Sequence, residues 1–446
     1  MLTSETVLLF RQFVNDDLGC ASYLIGDPAA GVAVVVDPAF AIEQYLEAAD
    51  EAGVRIERVL ETHTHADHVS GHGRLALEHG LPVAIHGLAE PGYPFEELAD
   101  GQELTVGAVR IRVLHTPGHR PEHCAFVVDE RIALTGDSLF VGDAARPDLA
   151  IDARDGAEDL FRSLERLSAL PEEVEVFPGH VAGSLCGGKM SAERSSTIGA
   201  ERATNAALEF RSLQEFVLVS ASVSTPRPPT TERVVELNRG PWVAWPEPPG
   251  GLPEAGDAVV LDVRAFSEHA AGHLPGSISV PVSGGSFGTK AGFVLAPGER
   301  VVLHASSVDE ATAAAQLLWA VGILELAGYI LDTDAPETLA TVDLAELEHL
   351  IGSSDVQLVD VRELAERDAG YLPGSRNIPY RLIRKLGCGA LEQSKPVVTV
   401  CESGARAAIA ASLLQREGFD VRAVADGGIA DFAGDTVAFR RCGGGH

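Results

Sequence analysis

One segment of the chain occurs twice, and this repeat constrains the fold more than any other feature. AVVLDVRAFSEHAAGHLPGSISVPV (258–282) recurs as VQLVDVRELAERDAGYLPGSRNIPY (356–380). The shared Asp-Val-Arg begins at Asp262 in the first copy and at Asp360 in the second, an offset of 98 residues. Solenoid units are much shorter, about 20–50 residues. The repeat therefore predicts two consecutive domains of one fold.

Both copies alternate strand-like and helical patterns. An apolar run, LDV or VDV, precedes a helical pattern and a Pro-Gly turn, and a second run, VVLH or VVTV, precedes an alanine-rich helical segment. Strands that alternate with helices form parallel sheets covered on their faces. We therefore expect two small α/β domains with parallel sheets.

The predicted domain boundaries lie in proline-rich or polar connectors. At 446 residues the chain has room for about three domains of roughly 150 residues each. The connectors 224–251 and 332–343 precede and separate the two copies, and proline cannot continue a helix. The predicted domains are 1–245, 251–335 and 340–440.

The part before the repeat contains short β-branched runs with helical segments between them. Examples are VAVVVD (32–37), VRIRVL (109–114), CAFVV (124–128) and VEVF (174–177). This alternation predicts a layered α/β domain.

A dense array of metal ligands follows one apolar run of this first part. The segment VLETHTHADHVSGHG contains His63, His65, Asp67 and His68. Alternation along a loop turns His63 and His65 to one side and Asp67 and His68 to another. One or two metal ions can then be held.

Three further ligand types each follow a β-run directly. They are His119 in HTPGH, Asp137 in LTGD and His180 in FPGH, and each comes immediately after a glycine that permits a tight turn. Ligands at strand ends converge on one edge of a sheet, so a metal site is predicted there. We interpret the remaining histidines of this region as packing or ligand-orienting groups: His72, His79, His86, His115 and His123.

The order HTHADH, TPGH, TGDSLF, PGH resembles the persulfide dioxygenase branch of the metallo-β-lactamase fold. The resemblance implies an αββα sandwich for residues 1–245. It also implies one Fe(II) per chain, held by His63, His119 and Asp137, with zinc as the alternative metal. The other members of the array would orient ligands, move protons or hold a second metal: His65, Asp67, His68 and His180.

The resemblance implies two further site residues. Arg146, in FVGDAARPDLA, could pair with a substrate carboxylate or form a salt bridge within its loop. Cys186 lies in a stretch that resembles dioxygenases fused to rhodaneses, where this cysteine is near the active site. The alternative for Cys186 is a small buried apolar residue.

A six-residue loop in the second copy, Cys401-Glu-Ser-Gly-Ala-Arg406, lies between a β-run and a helical segment. Backbone N–H groups and a helix N-terminus stabilise an anionic sulfur at such a position. With the upstream VDVR and GYLPGSRNIP segments, the loop resembles a rhodanese. The resemblance implies that Cys401 carries sulfur and that Arg406 holds the loop or binds thiosulfate.

The same loop in the first copy begins at Ala305 and ends at Glu310. Alanine offers no nucleophile, and glutamate repels anionic sulfur. We therefore interpret 251–335 as a degenerate rhodanese domain that packs against or positions its neighbours.

The resemblances together predict oxidation of a small thiol persulfide by O₂ to sulfite. Cys401 would add sulfur transfer that makes or uses thiosulfate. Two alternatives stay open. One is a zinc-dependent thioester hydrolase of the glyoxalase II type, and the other is a sulfur carrier or sensor that uses Cys401 alone.

Composition excludes several partners. Lys+Arg number 34 against Asp+Glu 65, a net charge of −31 that repels nucleic acid and anionic membranes.

The six cysteines form no C-x-x-C pair, which fits reduced thiols in the cytoplasm. Cys388 and Cys442 belong to no motif. A homo-oligomer is a family-level expectation.

Overall fold

The computed structural model describes residues 7–148, 150–181, 190, 191, 193–210, 212–222, 226–331, 335–387, 389, 391–432, 434, 436 and 437. Cys186, Cys388 and Cys442 lie outside these described residues. The chain divides into two compact units. The first comprises Met1–Pro246 with Trp319–Ile323, and the second comprises Glu247–Leu318 with Leu324–His446.

In the described part of the first unit, twelve strands form two six-stranded sheets. One has the order β1-β2-β3-β4-β5-β6: β1 (Leu9–Val14), β2 (Ala21–Asp27), β3 (Val32–Val36), β4 (Arg55–Leu60), β5 (Val83–His86) and β6 (Glu96–Leu98). The other has the order β14-β13-β10-β9-β8-β7: β7 (Glu103–Val106), β8 (Val109–His115), β9 (Cys124–Val128), β10 (Ile132–Gly136), β13 (Glu175–Pro178) and β14 (Ser196–Thr197). A small hairpin, β11 (Leu139–Phe140) and β12 (Asp143–Ala144), follows β10.

The described residues of this unit form six α-helices. They are α1 (Glu43–Glu51), α2 (His72–His79), α3 (Ala153–Ser168), α4 (Ile198–Thr204), α5 (Leu213–Ser220) and α6 (Thr231–Arg239). Helix α3 begins at the cap residue Asp152, whose side chain accepts a hydrogen bond from the Arg154 amide.

The central strands β3, β9 and β10 are buried on both faces, which explains their continuous apolar runs. In β2, Tyr23 and Ile25 pack with Phe126 of β9 between the two sheets. Leu24, which points to the other face, packs with Tyr45 of α1. On the outer face of the second sheet, residues of α3 and α5 pack against β9. The layers are therefore helix, sheet, sheet, helix, and the predicted αββα sandwich is confirmed.

Within the residues that the structure describes, the second unit forms two sheets in which all neighbouring strands are parallel. The first has the order β16-β15-β17-β18: β15 (Val259–Asp262), β16 (Ile278–Ser279), β17 (Val301–Ala305) and β18 (Leu326–Leu331). The second has the order β19-β23-β22-β20-β21: β19 (Ala340–Val342), β20 (Gln357–Asp360), β21 (Arg376–Asn377), β22 (Val397–Val400) and β23 (Val421–Val424). The predicted small parallel sheets are confirmed.

The helices of the second unit connect these strands. They are α7 (Phe266–Ala271), α8 (Phe287–Val294), α9 (Val308–Ala320), α10 (Leu344–Leu350), α11 (Leu364–Ala369), α12 (Tyr380–Leu386) and α13 (Ala405–Arg416). The two copies contact each other through α13, where the amide of Ser279 donates to the Ser412 hydroxyl at 3.0 Å. Arg416 also donates to the carbonyl of Gly276 at 2.9 Å.

The long apolar run from Ala311 to Leu331 forms most of α9, a turn and β18. In the part of the chain that the structure describes, no helix has both the length and the apolar character that a bilayer span requires.

Candidate functional site

Three buried side chains converge beyond the ends of β4, β8 and β10. Oδ2 of Asp137 lies 3.5 Å from Nε2 of His119 and 4.0 Å from Nε2 of His63. All three side chains are almost completely buried. Among the described residues, none of these three atoms has a hydrogen-bond partner. Buried polar atoms are normally paired, so three convergent exceptions fit a bound metal ion.

The other nitrogen of each histidine is already engaged. Nδ1 of His63 lies 2.9 Å from the Thr62 hydroxyl, which donates to Asp37. Nδ1 of His119 lies 3.1 Å from the carbonyl of Arg146. Both rings therefore carry their proton on Nδ1 and direct the Nε2 lone pair inwards, which is the tautomer a metal ligand needs.

The electrostatics agree with this protonation. Burial and neighbouring histidines lower the pKa of His63 well below its usual range, and burial also lowers the pKa of His119. Burial acts to raise the pKa of Asp137, but His180 and His119 hold it well below its usual range. The result is two neutral imidazoles and one carboxylate.

Glycines give the ligand loops the space they need. Gly136 has φ +50, and a Cβ there would lie 2.6 Å from Nε2 of His123 and 2.9 Å from the Thr62 hydroxyl. His123 in turn accepts a hydrogen bond from the Asp137 amide at 2.9 Å. His123 therefore positions Asp137, in keeping with the orienting interpretation of the sequence.

His180 lies between two carboxylates. Its Nδ1 is 2.8 Å from Oδ1 of Asp137, and its Nε2 is 2.8 Å from Oδ2 of Asp67. The other oxygen of Asp67 lies 3.2 Å from Nδ1 of His68. The ring nitrogens of His180 and the oxygens of Asp67 are thus engaged within the protein.

His65 is directed away from the three convergent atoms, towards two buried carboxylates. Its Nε2 lies 3.1 Å from Glu61 and 3.3 Å from Asp37. Burial opposes protonation, but these carboxylates raise the pKa of His65 well above its usual range. Burial also acts to raise the pKa of Glu61, while His65 and His72 lower it to about 2. The structure groups His65 with this network and His63 with His119.

The thiol of Cys20 lies close to Asp67 and His68, two members of the ligand array. Cys20, Asp67 and His68 each offer a ligand atom, and these atoms lie within 4.8 Å of one another. Burial acts to lower the pKa of His68, but Cys20 and Asp67 raise it to about 9. Cys20, Cys124 and Cys401 form no disulfide within the described residues.

Arg146 forms an ion pair in its own loop. Its guanidinium binds Asp148 in a bidentate manner, at 2.6 and 2.7 Å, and Arg146 is 7% exposed. Of the two interpretations of the sequence, the structure contains the loop salt bridge. Its backbone carbonyl also orients His119.

Three residues of this region were not predicted from the sequence: Asp37, Glu61 and Cys20. Asp37 has a positive φ of 50 and accepts hydrogen bonds from both the amide and the hydroxyl of Thr62. The available signal was position, because Asp37 follows β3 directly and Glu61 follows β4 directly. Both are thus at the same strand ends as the ligand loops. Cys20 carried no comparable signal.

In the second unit, the loop from Cys401 to Arg406 follows the end of β22. Sγ of Cys401 accepts a hydrogen bond from the Gly404 amide at 3.1 Å, and Cys401 is buried. Gly404 has φ +93, and a Cβ there would lie 2.0 Å from the Ala425 carbonyl oxygen. Only glycine fits, so the backbone is held with an N–H directed at the sulfur.

Ion pairs surround this loop. Arg406 binds Glu366 in a bidentate manner, at 2.6 and 2.7 Å, which holds the loop against α11. Arg362 binds Asp360 and also reaches Glu402 at 2.7 Å. In the first copy, Glu310 accepts a hydrogen bond from the amide of Ser306 at 2.7 Å.

Comparison with known proteins identifies the families to which the parts of the chain are similar. The metallo-beta-lactamase superfamily matches residues 15–180, and the rhodanese-like domain matches residues 251–333 and 343–435. The mitochondrial persulfide dioxygenase of Bos taurus is 30% identical over 239 residues, which cover 53% of this chain and 89% of that protein. The chain belongs to the persulfide dioxygenase family.

This persulfide dioxygenase family member also resembles hydrolases of the same fold. Hydroxyacylglutathione hydrolase of Methylococcus capsulatus is 39% identical over 161 residues, which cover 35% of this chain. The chain spans only 60% of that hydrolase. A crystal structure of a metallo-beta-lactamase from Staphylococcus aureus superposes with a TM-score of 0.68 at 29% identity. It covers 74% of this chain and 100% of its own.

Proposed function

We propose that the first unit oxidises a low-molecular-weight thiol persulfide with O₂ to sulfite, using one Fe(II) held by His63, His119 and Asp137. We further propose that Cys401 transfers sulfane sulfur, which yields thiosulfate when sulfite is the acceptor. The bovine relative, named a persulfide dioxygenase, supports the first part. The rhodanese-like match and the Cys401 loop support the second.

The observation that carries the proposal is the set of three convergent, unpartnered ligand atoms. Two neutral imidazoles and one carboxylate form the donor set that suits a mononuclear non-haem iron. Bound there, Fe(II) supplies open coordination positions for O₂ and for a soft sulfur ligand. The protein supplies the ligand tautomers through Thr62 and the Arg146 carbonyl.

The engagement of His180 and Asp67 favours one ion over two. A second ion would need lone pairs from residues such as Asp67 and His180. His180 already uses Nε2 in a hydrogen bond with Asp67 and Nδ1 in one with Asp137, so a second ion bound by His180 would have to replace one of them. A dinuclear zinc site that used His180 therefore requires a hydrogen bond to break, while the mononuclear site does not.

The test measures O₂ consumption by protein purified without oxygen and reconstituted with Fe(II), with glutathione persulfide as substrate. We expect one O₂ consumed per sulfite formed and about one iron per chain. His119→Ala should remove both the iron and the O₂ uptake. His79→Ala, at the C-terminal end of α2, is the matched control, since no metal-capable cluster of the described residues includes it.

Two outcomes contradict the proposal. Two zinc ions per chain with cleavage of a glutathione thioester and no O₂ uptake would establish a hydrolase of the same fold. Loss of all sulfur chemistry in Cys401→Ala, with no effect of His119→Ala, would leave a sulfur carrier that uses Cys401 alone.

A further inference from the structure

The arginines around the Cys401 loop are committed to carboxylates. Arg406 binds Glu366 through two hydrogen bonds, and Arg381 binds Glu363 through two more, both at 2.8 Å. A bidentate pair holds a guanidinium in a fixed plane and satisfies two of its five donors. Each guanidinium keeps three further donors, but its positive charge is already offset by its carboxylate, which weakens its attraction for an oxyanion.

Arg362 is engaged still more completely. It binds both oxygens of Asp360, at 3.0 and 2.9 Å, and donates to the carbonyl of Gly370 at 2.6 Å. Its remaining Nη1 reaches Glu402 at 2.7 Å. Asp360 and Glu402 together place two carboxylates on this one guanidinium. Arg362 therefore adds no net positive charge to the loop.

Glu402 follows the reactive cysteine directly in the chain and brings a carboxylate to this loop, where it pairs with Arg362. Its side chain is 45% exposed, so the carboxylate remains partly accessible to solvent and to an approaching ligand. Its backbone is fixed, because its carbonyl accepts a hydrogen bond from the Ala430 amide and that of Cys401 accepts one from Ile429. A Cβ on Gly428 would lie 2.3 Å from the Glu402 carbonyl oxygen, so this turn is tightly packed.

The attraction for anions that remains comes from the backbone. The Gly404 amide donates to Sγ of Cys401, and α13 begins at the next residue. These groups stabilise one negative charge on sulfur. A doubly charged oxyanion needs more than this, and the committed arginines and Glu402 do not supply it.

We propose that Glu402 makes the Cys401 site selective for thiol persulfides over thiosulfate and sulfite. The Cys401 thiolate attacks the terminal sulfur of R–S–S–H. The bond from Sγ to that sulfur forms as the S–S bond of the donor breaks. The thiolate R–S⁻ leaves with the bonding electrons, and the proton stays on the new persulfide. No further oxidant or reductant takes part.

This inference rests on the sulfurtransferase role proposed for Cys401 and narrows it. Thiosulfate and sulfite carry their charge at the reacting end, whereas a persulfide brings at most one charge there. Sulfur exchange between thiols therefore becomes the main reaction of this loop. Formation of thiosulfate becomes the slower one, because forward and reverse reactions share a transition state.

The experiment compares two donors with one acceptor. The full-length protein receives either thiosulfate or 2-mercaptoethanol persulfide, and transfer to cyanide is measured as thiocyanate, with the uncatalysed reaction subtracted. We expect kcat/KM to be at least about tenfold higher for the persulfide. Glu402→Gln should raise kcat/KM for thiosulfate about tenfold and change that for the persulfide less than about threefold.

Two control variants separate charge from structure. Glu402→Asp keeps the carboxylate and should keep the donor preference of the wild type. Glu392→Gln removes an exposed carboxylate that pairs with Lys395, and should change neither donor. Retained persulfide activity in Glu402→Gln shows that this variant is folded.

The proposal is overturned if thiosulfate equals the persulfide in the wild type, or if Glu402→Gln leaves their ratio unchanged. Failure of the broader function gives a different result. If Cys401→Ala transfers sulfur as fast as the wild type from both donors, Cys401 has no sulfurtransferase role at all.

Discussion

Nδ1 of His180 lies 2.8 Å from Oδ1 of Asp137, so this imidazole orients one oxygen of a buried carboxylate while the other oxygen faces His63 and His119. We predict that His180→Ala retains about one iron per chain and lowers persulfide oxidation about 10–100-fold, as loss of a ligand-orienting partner does. Asp137→Ala should lose the iron itself. Metal analysis beside O₂ uptake distinguishes the two, and loss of iron in His180→Ala would make this residue a ligand.

The Thr62 hydroxyl controls the tautomer of His63. Thr62→Val removes the hydroxyl that links Asp37 to Nδ1 of His63, so Nδ1 loses its oriented partner. We predict about a tenfold loss of Fe(II) affinity, measured by competition with a chelator. Thr64→Val is the matched control, because the described residues offer the Thr64 hydroxyl no hydrogen-bond partner. Equal affinities in the two variants would contradict the role of Thr62.

Mutation of Cys401 should abolish sulfur transfer and leave persulfide oxidation in place. Cys401→Ser removes the thiol that accepts the Gly404 hydrogen bond and keeps a polar side chain of similar size. We predict undetectable transfer of sulfur to cyanide, with persulfide-dependent O₂ uptake within about twofold of the wild type. Labelled sulfur on the protein after treatment with a persulfide, followed by mass spectrometry, checks the first statement. Sulfur retained in Cys401→Ser would contradict it.

Asp262 makes the second unit sensitive to acid. Burial acts to raise the pKa of Asp262, but hydrogen bonds from Arg264 and two buried histidines hold this pKa well below its usual range. A carboxylate with a depressed pKa in the folded state stabilises the protein above its unfolded pKa of about 4, and this stabilisation is lost as the pH falls further. Stability should therefore decrease on acidification from about pH 5 downwards.

Asp262→Asn tests this dependence. We predict a loss of about 3 kcal/mol in the free energy of unfolding at pH 7, because two histidines and Arg264 lose their buried charged partner. The decrease with acidification should also become shallower. Urea unfolding of the full chain at several pH values measures both. Asp257→Asn is the control, since its side chain is 97% exposed.

The fold followed from patterns that the sequence carries locally. Continuous apolar runs such as that of β3 predicted strands buried on both faces, and the 98-residue repeat predicted two parallel-sheet domains. These features depend on neighbours in the chain. The two copies also differ where their chemistry differs, at Ala305 and Cys401, and this difference is visible without coordinates.

The sequence could not predict which of the candidate ligands lie together in one site. His63 and His65 are two residues apart, yet His65 is directed to Glu61 and Asp37, because those carboxylates lie at the ends of β4 and β3. The commitment of His180 to Asp67 joins residues 113 positions apart. Such pairings depend on how two sheets and several loops meet, which no local pattern encodes.

Glu310 fills its own loop. In the first copy its carboxylate accepts a hydrogen bond from the Ser306 amide, so one backbone N–H of this loop already has an acceptor from its own chain. A thiolate restored by Ala305→Cys would compete with the Glu310 carboxylate for the N–H groups of that loop. We therefore expect sulfur transfer by the first copy to require both the replacement of Glu310 and a cysteine at position 305. Either substitution alone should leave this copy inactive.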